Sequence, residues 1–313
     1  MATGLGVVRP RSAIMPLIAA MRPRQWTKNL VILGAAFFGF HLTRHAVLDS
    51  LIAFAAFCCA SSCFYLVNDV VDAASDRNHP VKRYRPIASG ALNPQLALIA
   101  AGVLLLGATA AGFGVSLWLG ATVLAFAALH ASYNAWFKHI VILDIIAISA
   151  GFIVRAFGGA AATNIRLSAW FLLCTAMLAL FLAIEKRKGE LLFATVGDFS
   201  PRPVLSAYSL PLLLRMESVV APSVLMTYAL WSSGPQVGGA STQWMLVTLP
   251  FVIYGIFRYQ YLSDPRALRT GEELPTERPE EVLLTDGPLL LSLALWAMAV
   301  FAIFIGKHGG WIA

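Results

Sequence analysis

The sequence predicts an all-α polytopic membrane protein, a bundle of about nine transmembrane helices built as one unit. Its 313 residues are 58% hydrophobic and 12% charged, with a mean hydropathy of +0.73. A soluble domain carries more charge and has nowhere to hide that much apolar surface. Apolar runs of about 20 residues recur along the chain, each able to cross ~30 Å of hydrocarbon. Lipid admits only helices or closed barrels, and the short alternating strands of a barrel are absent. The net charge of +7 is explained by loop position, so no nucleic-acid partner is implied.

Residues 1–21 read as a cytoplasmic N-terminal segment. It has no apolar region followed by a small-residue cleavage site, so the chain is expected to keep it. RPRQWTKN (22–29) opens the first span, which runs to about 42, with Trp26 at the interface and Lys28 at the mouth. The second covers roughly 48–67. The third runs from Pro94 to about Phe113, with Gly112 and Gly114 expected to turn the chain into the fourth, which ends at Tyr133 and Asn134. A polar link through Lys138 and His139 leads to the fifth, 140–162, which contains Asp144 and Arg155. The sixth, about 167–184, exits into EKRKGE (185–190). The seventh (211–231), eighth (244–261) and ninth (288–305) complete a single domain, 1–313, whose bundle is 22–306 and whose tail is 307–313. The acidic loop before the ninth (Glu272, Glu273, Glu277, Glu280, Glu281) reads as a solvated connector. Four cysteines (Cys58, Cys59, Cys63, Cys174) lie in apolar helices with no zinc spacing, and read as core residues.

Orientation follows from the cations. With the N-terminus inside, 19 of the 23 Lys and Arg fall on the cytoplasmic side. Only Arg44, Arg166 and Lys307 fall opposite, and Arg155 lies within a span. That bias fixes the topology as positive-inside. It puts every charged cluster of interest on the cytoplasmic face of the cell (inner or plasma) membrane.

The chain is organised around Asn68 to Gly90, NDVVDAASDRNHPVKRYRPIASG. Asn68, Asp72 and Asp76 recur at i, i+4 and i+8, and Asp69 precedes Asp72 by three. If the second helix continues for two turns, these oxygens share one face. Such a set suits magnesium, completed by waters and substrate phosphates. Arg77, His79, Lys82, Arg83 and Arg85 follow as a basic run able to hold phosphate. Acids beside cations at a membrane edge read as a magnesium–diphosphate site; the plainer alternative is a charged loop.

Asp144 and Arg155 are three helical turns apart, ~16 Å along one face, so each needs a partner from another helix. Arg155 suits a deep phosphate, and Asp144 a cation or ribose hydroxyl; a structural pair between helices is the alternative. Gly158 and Gly159 read as close-packing positions. Lys186, Arg187 and Glu190 form a second cluster, with Arg187 placed to grip a phosphate and Glu190 to hold the cations; a snorkelling helix end would look similar. Tyr133, Lys138 and Lys28 complete the cytoplasmic mouth.

Through Asn68-Asp69-x-x-Asp72-x-x-x-Asp76 the chain resembles the UbiA superfamily of intramembrane prenyltransferases. RPRQWTKN (22–29), residues 65–90, Asp144…Arg155-Ala156-x-x-Gly159, LSAWFLL (167–173) and KRKGE (186–190) make it similar to the decaprenyl-phosphate phosphoribosyltransferase branch. The resemblance implies a UbiA-like bundle that uses Mg2+ to transfer 5-phosphoribosyl from phosphoribosyl diphosphate (PRPP) to a polyprenyl phosphate. Diphosphate leaves, and the product is a precursor of lipid-linked arabinose donors. Asn68, Asp69, Asp72 and Asp76 are then the metal set. Asn68, Asp72, Asp76, Lys186 and Arg187 act on the reaction, and the other cations of the mouth bind substrate. PRPP, the polyprenyl phosphate and membrane lipids are the implied partners; a homo-oligomer is compatible with this. Ordinary family members carry a second aspartate-rich motif where this chain has Lys186-Arg187-x-x-Glu190, a change that suits additional substrate phosphates. Two rivals remain on the residues alone. One is an aromatic prenyltransferase consuming prenyl diphosphate. The other is a transporter relaying ions through Asp144 and Arg155, which one-sided charge disfavours.

Overall fold

The computed structural model describes residues 13–39, 43–78, 81–196, 203–264, 282 and 285–311. Helices account for nearly all of the described chain, and it contains no strand. Seven segments are long and apolar enough to span a bilayer. In our numbering they are α3 (Arg44–Val71), α5 (Pro94–Val115), α7 (Leu143–Thr163), α8 (Ala169–Val196), α9 (Leu210–Ser232), the 3-10 turn Gln243–Thr248 joined to α10 (Leu249–Leu262), and α11 (Gly287–His308). Two further segments join the bundle. One is α6 (Leu117–Ala135), whose last turns turn polar at His130, Ser132, Tyr133 and Asn134. The other is a broken run of α1 (Ile14–Met21), a 3-10 stretch Pro23–Leu33 and α2 (Gly34–Phe38).

The break in the first segment is where the structure departs most from a plain span. Arg22 adopts a left-handed conformation (φ 56°) immediately before Pro23. A residue before proline is pushed out of the α region, and proline supplies no N–H to continue the helix. Helix starts elsewhere are specified locally. Thr43, Asn93, Ser116, Ser209 and Asp286 each accept a backbone N–H from the first turn that follows. Ser116, not the expected glycines, turns the chain between α5 and α6. Gly112 and Gly114 stay inside α5, where Gly112 packs against Gly120.

Two sets of helices divide the core. The first packs α1, α3, α5, α6 and α7 around Ile32, Phe57, Leu66 and Phe126. The second packs α8 to α11 around Phe181, Ile184, Val224 and Tyr228. The α7–α8 seam joins them. Close approach within the first set depends on Gly159, since a Cβ there would lie 2.0 Å from the Ile32 carbonyl oxygen. Backbone cannot yield as a side chain does, so Gly159→Ala is expected to destabilise the fold by about 1–3 kcal/mol. A lowered thermal midpoint of the purified protein in detergent is the readout, and an unchanged midpoint refutes it.

The largest departure lies at the end of the sixth span. The helix does not stop at residue 184; α8 carries the charged run onward to Val196. Glu185, Arg187 and Lys188 are consequently buried within the bundle.

Candidate functional site

The acidic motif lies at the end of α3 and in α4 (Ala73–Arg77). Asp72 stands between them with near-helical backbone angles, and its N–H donates to the Asn68 carbonyl at 2.8 Å. The Asp76 N–H donates to the Asp72 carbonyl at 2.9 Å. These two i→i−4 bonds carry the helical turn across the break at Asp72, which keeps Asn68, Asp72 and Asp76 on one face. The side chains of Asn68 and Asp72 are half-buried and make no hydrogen bond or ion pair among the described residues. Asp76 is buried and accepts from Arg85 Nη1 at 2.7 Å.

Asp69 is paired with cations in this structure. It is buried, and its Oδ1 accepts from Arg22 Nη2 at 2.5 Å and from Arg85 Nη1 at 3.2 Å. Two guanidinium groups therefore hold this carboxylate through Oδ1, and Arg85 ties Asp69 to Asp76. Arg22 also lies over the Tyr65 ring, 5.0 Å from its centroid. Among the described residues no three His, Cys, Asp or Glu side chains gather as for one ion. The oxygens left without a partner among the described residues are the amide oxygen of Asn68, the carboxylate of Asp72, one oxygen of Asp76 and Oδ2 of Asp69. An all-oxygen set with one or two carboxylates fits magnesium, which keeps waters and takes the rest of its shell from phosphates.

The basic run is placed beside this edge. Arg77 is exposed, and its Nε donates to the Ala88 carbonyl at 3.3 Å. Lys82 is half-buried; Arg83 is exposed and donates to the Tyr84 hydroxyl at 2.7 Å. His79 lies outside the described residues. Lys28 is half-buried in the 3-10 stretch, and Lys138 is half-buried in the turn after α6.

The second cluster is a buried ion network. Asp144 is 0% exposed; its Oδ2 accepts from Arg187 Nε at 2.8 Å and its Oδ1 from the Tyr208 hydroxyl at 2.6 Å. Arg187 is 1% exposed, and its Nη1 donates to Glu190 Oε2 at 2.5 Å. Asp144 and Arg187 each spend part of their hydrogen-bonding capacity on the other, and the pairing offsets the cost of burying both charges. Glu190 meets Arg187 at the expected i+3 spacing. Tyr133 lies within electrostatic reach of Arg187, and Lys186 remains half-buried on α8.

Tyr208 does more than cap Asp144. Its hydroxyl accepts from the Ile142 N–H at 2.8 Å, and Ile142 has φ 73°, an outlier for a β-branched residue. The phenol therefore pins a strained turn at the start of α7. Burial raises its pKa, and the hydrogen bond to Asp144 acts in the same direction, so it stays a donor.

Deeper in the bundle, Arg155 is buried between the rings of Phe126 and Phe152, 4.6 and 5.2 Å from their centroids. Its Nε donates to Asn29 Oδ1 at 2.6 Å and its Nη1 to the Gly151 carbonyl at 3.1 Å. All these partners are neutral, so the guanidinium keeps its positive charge uncompensated among the described residues. Lys28 and His130 lie within electrostatic reach of each other and His130 of Arg155, making this the positive end of the interior.

Sequence reasoning passed over Arg22, Asn29, Tyr208 and a third group. In that group Lys188 Nζ donates to Glu185 Oε1 at 2.9 Å and to Glu217 Oε2 at 2.6 Å, and Gln260 donates to the other Glu217 oxygen. Glu185 and Lys188 sit at i, i+3 in the charged run, a legible spacing; Glu217 and Tyr208 gave no local signal.

Residues 30–274 match the UbiA prenyltransferase family. The decaprenyl-phosphate phosphoribosyltransferase of Corynebacterium glutamicum is 34% identical over 310 residues, covering 95% of this chain and 89% of that protein. Its counterpart in Mycolicibacterium smegmatis is 33% identical over 300 residues, 92% of each. Among solved structures, a UbiA homolog from Archaeoglobus fulgidus bound to GPP and Mg2+ superposes with a TM-score of 0.66. It is 18% identical, over 92% of this chain and 99% of that one. A digeranylgeranylglyceryl phosphate synthase superposes with a TM-score of 0.65 at 15% identity, over 94% and 99%.

Proposed function

Because the chain belongs to the UbiA prenyltransferase family, we propose that it transfers 5-phosphoribosyl from PRPP to decaprenyl phosphate or a similar polyprenyl phosphate. The observation that carries this reading is similarity to decaprenyl-phosphate phosphoribosyltransferases over nearly the whole chain, at 33–34% identity. The site chemistry supports it. The bond from the anomeric carbon to diphosphate breaks, and an oxygen of the lipid phosphate forms the new bond to that carbon. Asn68, Asp72 and Asp76 would hold magnesium, which when bound neutralises the departing diphosphate. Arg77, Lys82 and Arg83, on the segment that follows, would supply further donors to the diphosphate oxygens. The lipid phosphate is already ionised, so no protein base has to take a proton from it. Asp69, Arg22 and Arg85 act as positioning residues: their mutual pairing fixes the exit of α3 and with it the direction of Asn68 and Asp72.

The deciding experiment supplies the purified protein with PRPP, magnesium and decaprenyl phosphate, and weighs the extracted lipid. A phosphoribosylated lipid with release of diphosphate is expected. Product formed only from a prenyl diphosphate and an aromatic acceptor would overturn the reading.

We place this site on the cytoplasmic face of the cell membrane, from the cation bias. Single cysteines at Asn78 and Ser241, in a background lacking the native four, are expected to label from opposite sides, Asn78 from the cytoplasm. Labelling of both from one side would reject the topology.

A further inference from the structure

The end of the bundle remote from the acidic motif contains a cavity of about 770 Å³ that the proposed transfer does not use. Three helices fix its distance from the motif. Ala46 on α3, Thr163 on α7 and Phe171 on α8 line it. At 1.5 Å per residue they stand roughly 35, 29 and 24 Å from Asp69, Asp144 and Arg187 on the same helices. That is about the thickness of the hydrocarbon, so the cavity opens in the opposite leaflet. Its inner wall is aromatic: Phe38 meets Trp231 and Phe171 with ring centroids 5.1 and 5.7 Å apart.

The rim is cationic. Arg166 is exposed and makes no ion pair or hydrogen bond among the described residues. It follows Asn164, whose left-handed backbone (φ 55°) ends α7. Lys307 donates to the Ser241 carbonyl on the cavity lining, and Arg44 follows Thr43, another lining residue. Of the three cations that oppose the positive-inside bias, Arg166 lines this cavity and Lys307 and Arg44 adjoin residues that do. Asp49 is the sole acid the sequence places on that side.

Arg166 also stands in the wall of a second hollow, about 270 Å³, between α6 and α7. Trp118 and Phe157 line that hollow, and both have exposed apolar rings. A guanidinium grips phosphate in two places, while an open aromatic groove beside it takes an apolar chain. A soluble anion would use only the first of these. We propose that Arg166 binds the phosphate head of an anionic membrane lipid in the leaflet opposite the acidic motif, its chain lying along the Trp118–Phe157 groove. This site is independent of the transfer reaction.

The test reconstitutes the full chain with phosphatidylcholine alone or mixed with phosphatidylglycerol. Retained lipid is then counted by native mass spectrometry, and the thermal midpoint is followed. Phosphatidylglycerol is expected to be retained in preference and to raise the midpoint. Arg166→Ala should cut that retention at least about fivefold and abolish the rise, with Arg166→Lys intermediate. Arg215→Ala, an exposed cation at the other end, should change neither. Ala160→Trp, which fills the groove with Arg166 intact, should also lower retention and covers the case in which Arg166→Ala does not fold. Arg166-dependent retention of polyprenyl phosphate would extend the site to isoprenoid lipids. Equal retention by wild type and Arg166→Ala would overturn the proposal, as would inorganic phosphate raising the midpoint as well as the lipid does.

Discussion

Asp72→Ala is expected to lose about a hundredfold or more of magnesium-dependent turnover while folding normally. The Asp72 side chain is half-buried and has no partner among the described residues, and its backbone is bonded to Asn68 on one side and Asp76 on the other. Its removal therefore costs no ion pair and opens no cavity of consequence, but takes away a charged ligand next to a departing diphosphate. Loss of several kcal/mol of transition-state stabilisation corresponds to at least that factor in rate. The measurement is single-substrate kinetics with PRPP varied at saturating magnesium, beside a thermal melt of the same preparation. Near-normal turnover by the folded variant would remove Asp72 from the metal set.

Arg187→Ala should behave in the opposite way, failing in stability first. It leaves Asp144 buried with only a phenol for company, and frees Glu190 beside it. Breaking one side of a buried pair costs about 3–5 kcal/mol, because the orphaned charge stays behind. A large drop in thermal midpoint or in folded yield is expected, and Asp144→Asn combined with Arg187→Met should recover much of it. A variant that melts like wild type but needs far more PRPP would show that Arg187 grips phosphate after all.

These two residues mark the boundary of what the sequence could show. Asn68, Asp72 and Asp76 were legible because helical period alone puts i, i+4 and i+8 on one face, and the apolar run before them announced the helix. The long spans were legible for the same reason, since hydropathy reports length directly. The pairing of Arg187 with Asp144 was not legible, because the two lie 43 positions apart on different helices, and spacing along one helix carries no news of another. The pairing of Asp69 with Arg22, across a proline break, was hidden for the same reason. The end of α8 was hidden too, because a charged run at the close of an apolar stretch normally marks water. Here Lys188 sits between Glu185 and Glu217, and Gln260 donates to the other Glu217 oxygen, so the run stays inside.

The Asp144–Arg187 pair also bears on how the protein is made. α7 emerges from the ribosome before α8, and until α8 follows, Asp144 has no cation to meet. A lone aspartate costs up to about 3 kcal/mol at the centre of an inserting helix, and less near an end. The strained turn at Ile142 gains its hydrogen bond later still, when Tyr208 arrives. The α7–α8 seam that joins the two halves of the core is therefore also the step at which the nascent chain commits. A chain truncated after Thr163 should hold its last helix loosely in the bilayer, and one extended past Tyr208 should lock it.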